Sequence, residues 1–264
     1  MKDSNGRNYL ITGSTGIAAE TARQAAQFGA NIFIVSNDEE SCAALVSELK
    51  ETTESGYAVA DLTIESETQA AMEKFAGEFG RLDALFNVVG ISGRKFGDGP
   101  LHECTLAGWN ATFDANARTV FLMCRAALKV MLEQAPDRSD VRGAILNMGS
   151  VLNFSPEPKY FATHAYAATK AAIVGLSKTA AAYYAPHKIR INVIAPSLVK
   201  TPMSARAQTD QTILDFMRAK HPFGEEMLDA ADVARLALFL MGDDARRITG
   251  ETFKIDAGWS VSNV

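Results

Sequence analysis

Two features of this 264-residue sequence predict a doubly wound parallel α/β sheet formed by one domain spanning residues 1–264. Short apolar runs of strand length alternate with longer segments whose apolar residues recur at i, i+3 and i+4, the period of a helix buried on one face. The strand runs are apolar at successive positions, as expected when helices cover both faces of a parallel sheet. No linker, repeat or low-complexity tract interrupts the rhythm.

In chain order the predicted strands are YLIT (9–12), NIFIVS (31–36), YAVAD (57–61), ALFNVV (84–89), AILNM (144–148), IRINVI (189–194) and TFKI (252–255). Between them lie helical segments such as IAAETARQAAQF after the first strand and DVARLALFLM before the last. Three irregular pieces, 91–104, 151–165 and 195–224, each follow a predicted strand. Ligands of such sheets bind beyond the carboxyl ends of the strands, so all three pieces are expected at one rim. Within the last, Met203, Ile213, Leu214, Phe216, Met217 and Phe223 form an apolar set. Residues 197–224 therefore read as a lid over the site, as a small helix packing its own face, or as both.

Composition narrows the function classes. A hydrophobic content of 47% with 22% charged residues fits a soluble globular enzyme. The net charge of -5 offers no general attraction for a phosphate backbone, so nucleic acid is not an expected partner. No run approaches the ~18 apolar residues of a membrane span, and MKDSNGRNYLIT lacks the apolar core of a secretory signal. The expectation is a cytoplasmic enzyme. Cys42, Cys104 and Cys124 show no CxxC spacing, and His102, His164, His187 and His221 show no ligand spacing, so no metal site is expected.

After the first strand comes TGSTGIAAE (12–20). Gly13 would allow a tight turn, Gly16 the approach of a pyrophosphate to the backbone, and Ala19 close packing of helix on strand, with the N–H groups of the helix start facing the anion. Glycines before helices are common; the position after strand one of a βαβ unit gives these their weight. The second strand ends in Ser36-Asn37-Asp38-Glu39-Glu40. Acids there suit an adenosine ribose and repel a 2′-phosphate, which favours NAD over NADP. The same residues also read as a helix start capped by Asn37 or Asp38. HAYAATK (164–170) places Tyr166 and Lys170 on one helical face, where a cation would favour the phenolate. His164, two residues earlier, either faces a substrate or caps the helix.

Taken together, these motifs resemble the short-chain dehydrogenase/reductase family along nearly the whole chain. TGSTGIA looks like its cofactor turn, Asp61-Leu62 like its adenine contact, and NVVG (87–90) like its Asn-Asn-Ala-Gly signature. FDANARTVFLMCRAAL (113–128), NMGS (147–150), YAATK (166–170), IRINVIAPSLVKTPM (189–203) and TGETFKIDAGW (249–259) complete the ordered set. The resemblance implies a Rossmann-type fold and hydride transfer between NAD or NADP and a secondary alcohol or ketone. It implies catalytic roles for Asn116, Ser150, Tyr166 and Lys170: Tyr166 as acid and base, Lys170 lowering its pKa and reaching the nicotinamide ribose, Ser150 binding the substrate oxygen, Asn116 holding a water. It further implies cofactor contacts at Gly13, Ser14, Thr15, Gly16, Ile17, Ser36, Asn37, Asp61, Leu62, Asn87, Gly90, Pro196, Val199 and Thr201, besides Tyr166 and Lys170.

A homo-oligomer, dimer or tetramer, is also implied, with 105–133 and 165–184 as contact surfaces. Four departures stand out: one residue fewer between the first two glycines, Ala18 or Ala19 for the third glycine according to alignment, Val88-Val89 for Asn-Ala, and Ser197 for the glycine after Pro196. Two other functions fit the same motifs. One is a 3-oxoacyl thioester reductase, with Arg94, Lys95, Lys159, Arg206 and Lys220 as a basic patch for a phosphopantetheine carrier or coenzyme A. The other is a non-catalytic dinucleotide sensor or scaffold. The substrate itself is not legible, because similar frameworks serve many.

Overall fold

The computed structural model describes residues 4–224 and 227–262. Seven strands, β1 (Asn8–Thr12), β2 (Asn31–Ser36), β3 (Ser55–Val59), β4 (Ala84–Asn87), β5 (Gly143–Met148), β6 (Ile189–Pro196) and β7 (Thr252–Ile255), form one sheet in the order β3-β2-β1-β4-β5-β6-β7. Every pairing is parallel. The helices are α1 (Gly16–Gln27), α2 (Glu39–Leu49), α3 (Glu65–Phe79), α4 (Leu106–Phe113), α5 (Thr119–Glu133), α6 (His164–Tyr184), α7 (Ala205–Thr209), α8 (Gln211–Lys220) and α9 (Ala230–Met241). The direction of winding reverses between β1 and β4, which opens a crevice at their carboxyl ends.

Successive strand residues feed opposite cores. Ile11, Ile34, Phe86, Leu146 and Ile194 pack beneath α1, α2 and α9, whereas Leu10, Phe33, Leu85, Ile145 and Ile191 pack beneath α3, α5 and α6. This two-sided burial explains why the strands read as continuous apolar runs. Two predicted strands end two residues early. β3 starts at Ser55 and stops at Val59, its register set by Ile32–Ser36 of β2, which leaves Asp61 in the turn beyond. β4 stops at Asn87 because the N–H groups of Val88 and Val89 donate to Thr12 Oγ1 at 2.9 and 3.2 Å instead of to a strand.

A third, smaller core of Val151, Ala207, Ile213, Met217, Met227 and Trp259 lies under α7 and α8. Ile213 and Met217 are fully buried there, and Phe216 meets the Trp259 ring edge-on at 5.6 Å. Of the apolar set in 203–223, only Met203 lines the crevice, and Phe223 is exposed. The segment thus packs on a small core of its own. Among the described residues no helix is long and apolar enough to cross a membrane, and no group of His, Cys, Asp or Glu is arranged to hold a metal ion.

Candidate active site

The crevice is a cleft of about 530 Å³ at the carboxyl ends of the strands. Gly13, at φ 97°, turns the chain and donates its N–H to Val35 O at 2.7 Å. A Cβ at Gly13 would lie 3.3 Å from Ala18 Cβ, and one at Gly16 would lie 3.0 Å from Thr201 Cγ2. Both positions therefore need glycine for close backbone approach, in addition to their positive φ. Thr15 caps α1 without a side-chain bond, so the amides of the helix start are left to an incoming anion. Ser14, Thr15 and Ile17 line the same wall, and Ser14 Oγ is tied to Ser41 Oγ of α2 at 2.5 Å.

Ser36, Asn37 and Asp38 line the cleft at the end of β2. Asp38 also caps α2, accepting from Ser41 N at 3.2 Å, so this stretch is both a helix start and a cleft wall. Glu39 and Glu40 lie in the first turn of α2, outside the cleft. Asp61 and Leu62 line the wall after β3, with the Asp61 carboxylate accepting from Thr63 N and Oγ1 at 2.9 and 2.7 Å. Gly90, Pro196, Val199 and Thr201 line it as well.

Asn87 departs from expectation. Its side chain is buried in the sheet, where Nδ2 donates to Asn147 Oδ1 at 2.8 Å, and Asn147 in turn donates to Ser177 Oγ at 2.9 Å. This chain joins β4, β5 and α6 beneath the cleft floor and places Asn87 outside the lining. His164 is exposed at the first turn of α6 and likewise does not line the cleft.

Ser150, Tyr166 and Lys170 converge in the cleft. Ser150, at the end of β5, accepts from Leu152 N at 3.3 Å and faces the Tyr166 phenol. Lys170, one turn beyond Tyr166, is buried; its Nζ donates to Met148 O at 2.9 Å and lies 5.5 Å from the Tyr166 ring centroid. Burial lowers the Lys170 pKa to about 8. The expected lowering of the phenol pKa does not occur in this arrangement. Burial pushes the Tyr166 pKa upward, with the Ser150 side chain working against it. Tyr166 therefore holds its proton at neutral pH.

Asn116 stands behind this trio. It sits in a π-helical turn, Asp114–Arg118, between α4 and α5. Its amide is fully buried: Oδ1 accepts from Ile91 N at 2.8 Å, and Nδ2 donates to Ile91 O at 3.0 Å and Thr169 Oγ1 at 3.1 Å. It thereby fastens the loop after β4 to α6. A Cβ on Gly90 would come within 2.6 Å of Asn116 Oδ1, so the loop needs glycine at that point.

Several contributors escaped the sequence. Asp98, buried, accepts from Ala165 N at 3.0 Å and Tyr166 N at 2.9 Å and so anchors the start of α6. No local signal marks a cap that reaches across 67 or more residues of chain. Ser197 lines the cleft, and its buried Oγ has no hydrogen-bond partner in the protein. Leu152, Phe161, Leu198 and Trp259, which belong to or pack on the small core, give the cleft an apolar wall, and Met203, Arg94 and Arg206 also line it.

A family model described as enoyl-(acyl carrier protein) reductase matches residues 11–260. Momilactone A synthase of Oryza sativa subsp. japonica is 35% identical over 262 residues, covering 98% of this chain and 91% of that protein. The chain belongs to the short-chain dehydrogenase/reductase family. It is an oxidoreductase of that family. Among solved short-chain dehydrogenase/reductases, the 3-ketoacyl-(acyl-carrier-protein) reductase of Brucella melitensis complexed with NADH has a TM-score of 0.85 at 28% identity, covering 98% of this chain and all of that one. ElxO with NADP bound has a TM-score of 0.83 at 30% identity, covering 96% and 98%.

The cleft of this dehydrogenase/reductase fits a dinucleotide on its own evidence. The glycines at 13 and 16 leave room that a Cβ would fill, the start of α1 is open, and Ser197 Oγ is an orphaned polar atom in the cleft wall. Of the basic residues named for a thioester carrier, Arg94 and Arg206 meet at the Tyr160 carbonyl. Lys220 is buried and donates to Ser262 O at 2.9 Å, and Lys159 lies over the Tyr160 ring.

Proposed function

We propose that this short-chain dehydrogenase/reductase interconverts a secondary alcohol and a ketone using NAD, with NADP the alternative cofactor, and that Tyr166 moves the proton. The observation that carries this reading is the meeting of Ser150, Tyr166 and Lys170 in the cleft that begins at the Gly13–Ile17 turn. The bound nicotinamide would supply or accept the hydride. Asp38, a cleft wall at the end of β2, favours a free ribose over a 2′-phosphate.

Ser150 Oγ would donate to the substrate oxygen and stabilise the charge that develops there. Tyr166, protonated at neutral pH, would give its proton to that oxygen during reduction and recover it during oxidation. Lys170, once a ribose draws Nζ from Met148 O, would bring its charge to bear on the phenol. Asn116 would hold the loop after β4 and α6 in register beneath them, as a positioning residue.

Tyr166→Phe removes the transferable proton and little else. We expect turnover to fall by about 10²–10⁴ while NADH binding, followed by nicotinamide fluorescence, is retained. Unchanged turnover would sink the assignment, and tighter binding of NADPH than NADH would reverse the cofactor choice. We also propose self-association through the α4–α5 and α6 faces, which expose Leu106, Phe121 and Tyr183; sedimentation showing only monomer would overturn it.

A further inference from the structure

We infer that the substrate carries an anionic group, a carboxylate or a phosphate ester, held by Arg94 and Arg206 at the apolar side of the cleft. This rests on the reading of the cleft as the alcohol/ketone site. Arg94 comes from the turn after β4 and Arg206 from α7, yet both line the cleft and both donate Nη2 to one acceptor, the carbonyl of Tyr160, at 2.8 and 3.2 Å. Two like charges are thereby held side by side, and desolvation and then Arg206 lower the pKa of Arg94 against the pull of Asp98.

No carboxylate among the described residues forms an ion pair with either guanidinium. Asp98 acts on Arg94 and Asp210 on Arg206 through space, but the oxygens of the nearby acids are taken up by backbone amides. Asp98 gives its two oxygens to Ala165 N and Tyr166 N. Asp210 caps α8 through Thr212 N and Ile213 N, and Glu157 accepts from the N–H groups of Lys159, Tyr160 and Phe161. Both guanidiniums are open to solvent, neither is bridged by a carboxylate of the described residues, and the contact they share is one neutral carbonyl. An anion arriving between the two planar forks would find donors already pointed at a common acceptor and would relieve their repulsion. The neighbouring walls, Leu152, Phe161, Leu198, Met203 and Trp259, suit an apolar body attached to that anion.

The test uses the NADH complex of the full chain and three probes: 4-phenylbutanoate, 3-phenylpropyl phosphate and the neutral 4-phenylbutan-1-ol, with binding read by calorimetry. We expect at least one anion to bind about tenfold or more tighter than the alcohol, and the preference to vanish in R94Q/R206Q but persist in the K95Q control. The tighter of the two anions identifies the group. Equal binding of alcohol and anions, or a preference that survives in the double variant, would overturn the inference. Should the double variant fail to fold, R206Q alone, on α7, gives the same reading. Because binding is measured without turnover, failure here is separate from failure of the Tyr166 assignment.

Discussion

The buried ammonium of Lys170 should make the enzyme less stable than it could be, and Lys170→Met should expose that cost. In the folded protein its pKa falls from 10.5 to about 8 through burial, a difference worth about 3 kcal/mol. The unfolded chain binds the proton more tightly, so between these two values stability rises with pH; below about 8 the full penalty is present. Methionine removes the charge but leaves Met148 O without its donor, which costs about 1–2 kcal/mol. The net expectation at pH 7 is a variant more stable by about 1–2 kcal/mol, or about 2–6 °C in Tm, and devoid of activity. At pH 10 the advantage should have shrunk or reversed. Thermal melts of both proteins at pH 7 and 10, without cofactor, decide it. A variant that melts lower at pH 7, or a difference independent of pH, would refute the reasoning.

Other side chains give sharper, smaller tests. Asp98→Asn replaces one acceptor at the start of α6 by a donor; we expect a loss of about 1 kcal/mol in urea unfolding and a fall in kcat with the NADH dissociation constant unchanged. Gly90→Ala must displace Asn116 Oδ1 from Ile91 N, and a loss of about 1–3 kcal/mol should appear in the urea midpoint. Cys42 and Cys124 are buried, with thiol pKa values pushed up, that of Cys124 to about 12, whereas Cys104 is partly open. A thiol-specific disulfide reagent should label only Cys104 in the native protein and all three cysteines in denaturant; rapid native labelling of Cys124 would contradict its burial.

Much of this was legible in the sequence because parallel strands covered on both faces leave a plain mark, and NIFIVS and TFKI coincide with β2 and β7 to the residue. The glycine turn and the Tyr166–Lys170 pair could be read for a similar reason, local spacing, whereas Ser150 came only with the family resemblance of NMGS. What could not be read depends on distant partners. Thr12 ends β4 early from 76 residues away, and Asp98 anchors Tyr166 from another loop. Asn87, placed in the cleft by its motif, turns instead to Asn147 because both lie in neighbouring strands as paired residues. Lys170 sits where its spacing requires, but the direction of its ammonium follows from the Met148 carbonyl, which spacing does not encode.

The wide turn at Asp114–Arg118 has a consequence for helix phase. An α-helix advances about 100° per residue, so one surplus residue rotates everything after it relative to everything before. Before the turn, Thr112 is buried against α4's neighbours; after it, Val120, Met123, Ala127 and Met131 form the stripe that enters the core. Deleting one residue between 114 and 118 would let the backbone relax to regular α geometry. Either the Asn116 amide or the apolar stripe of α5 would then point the wrong way, and no rotation of the helix could satisfy both.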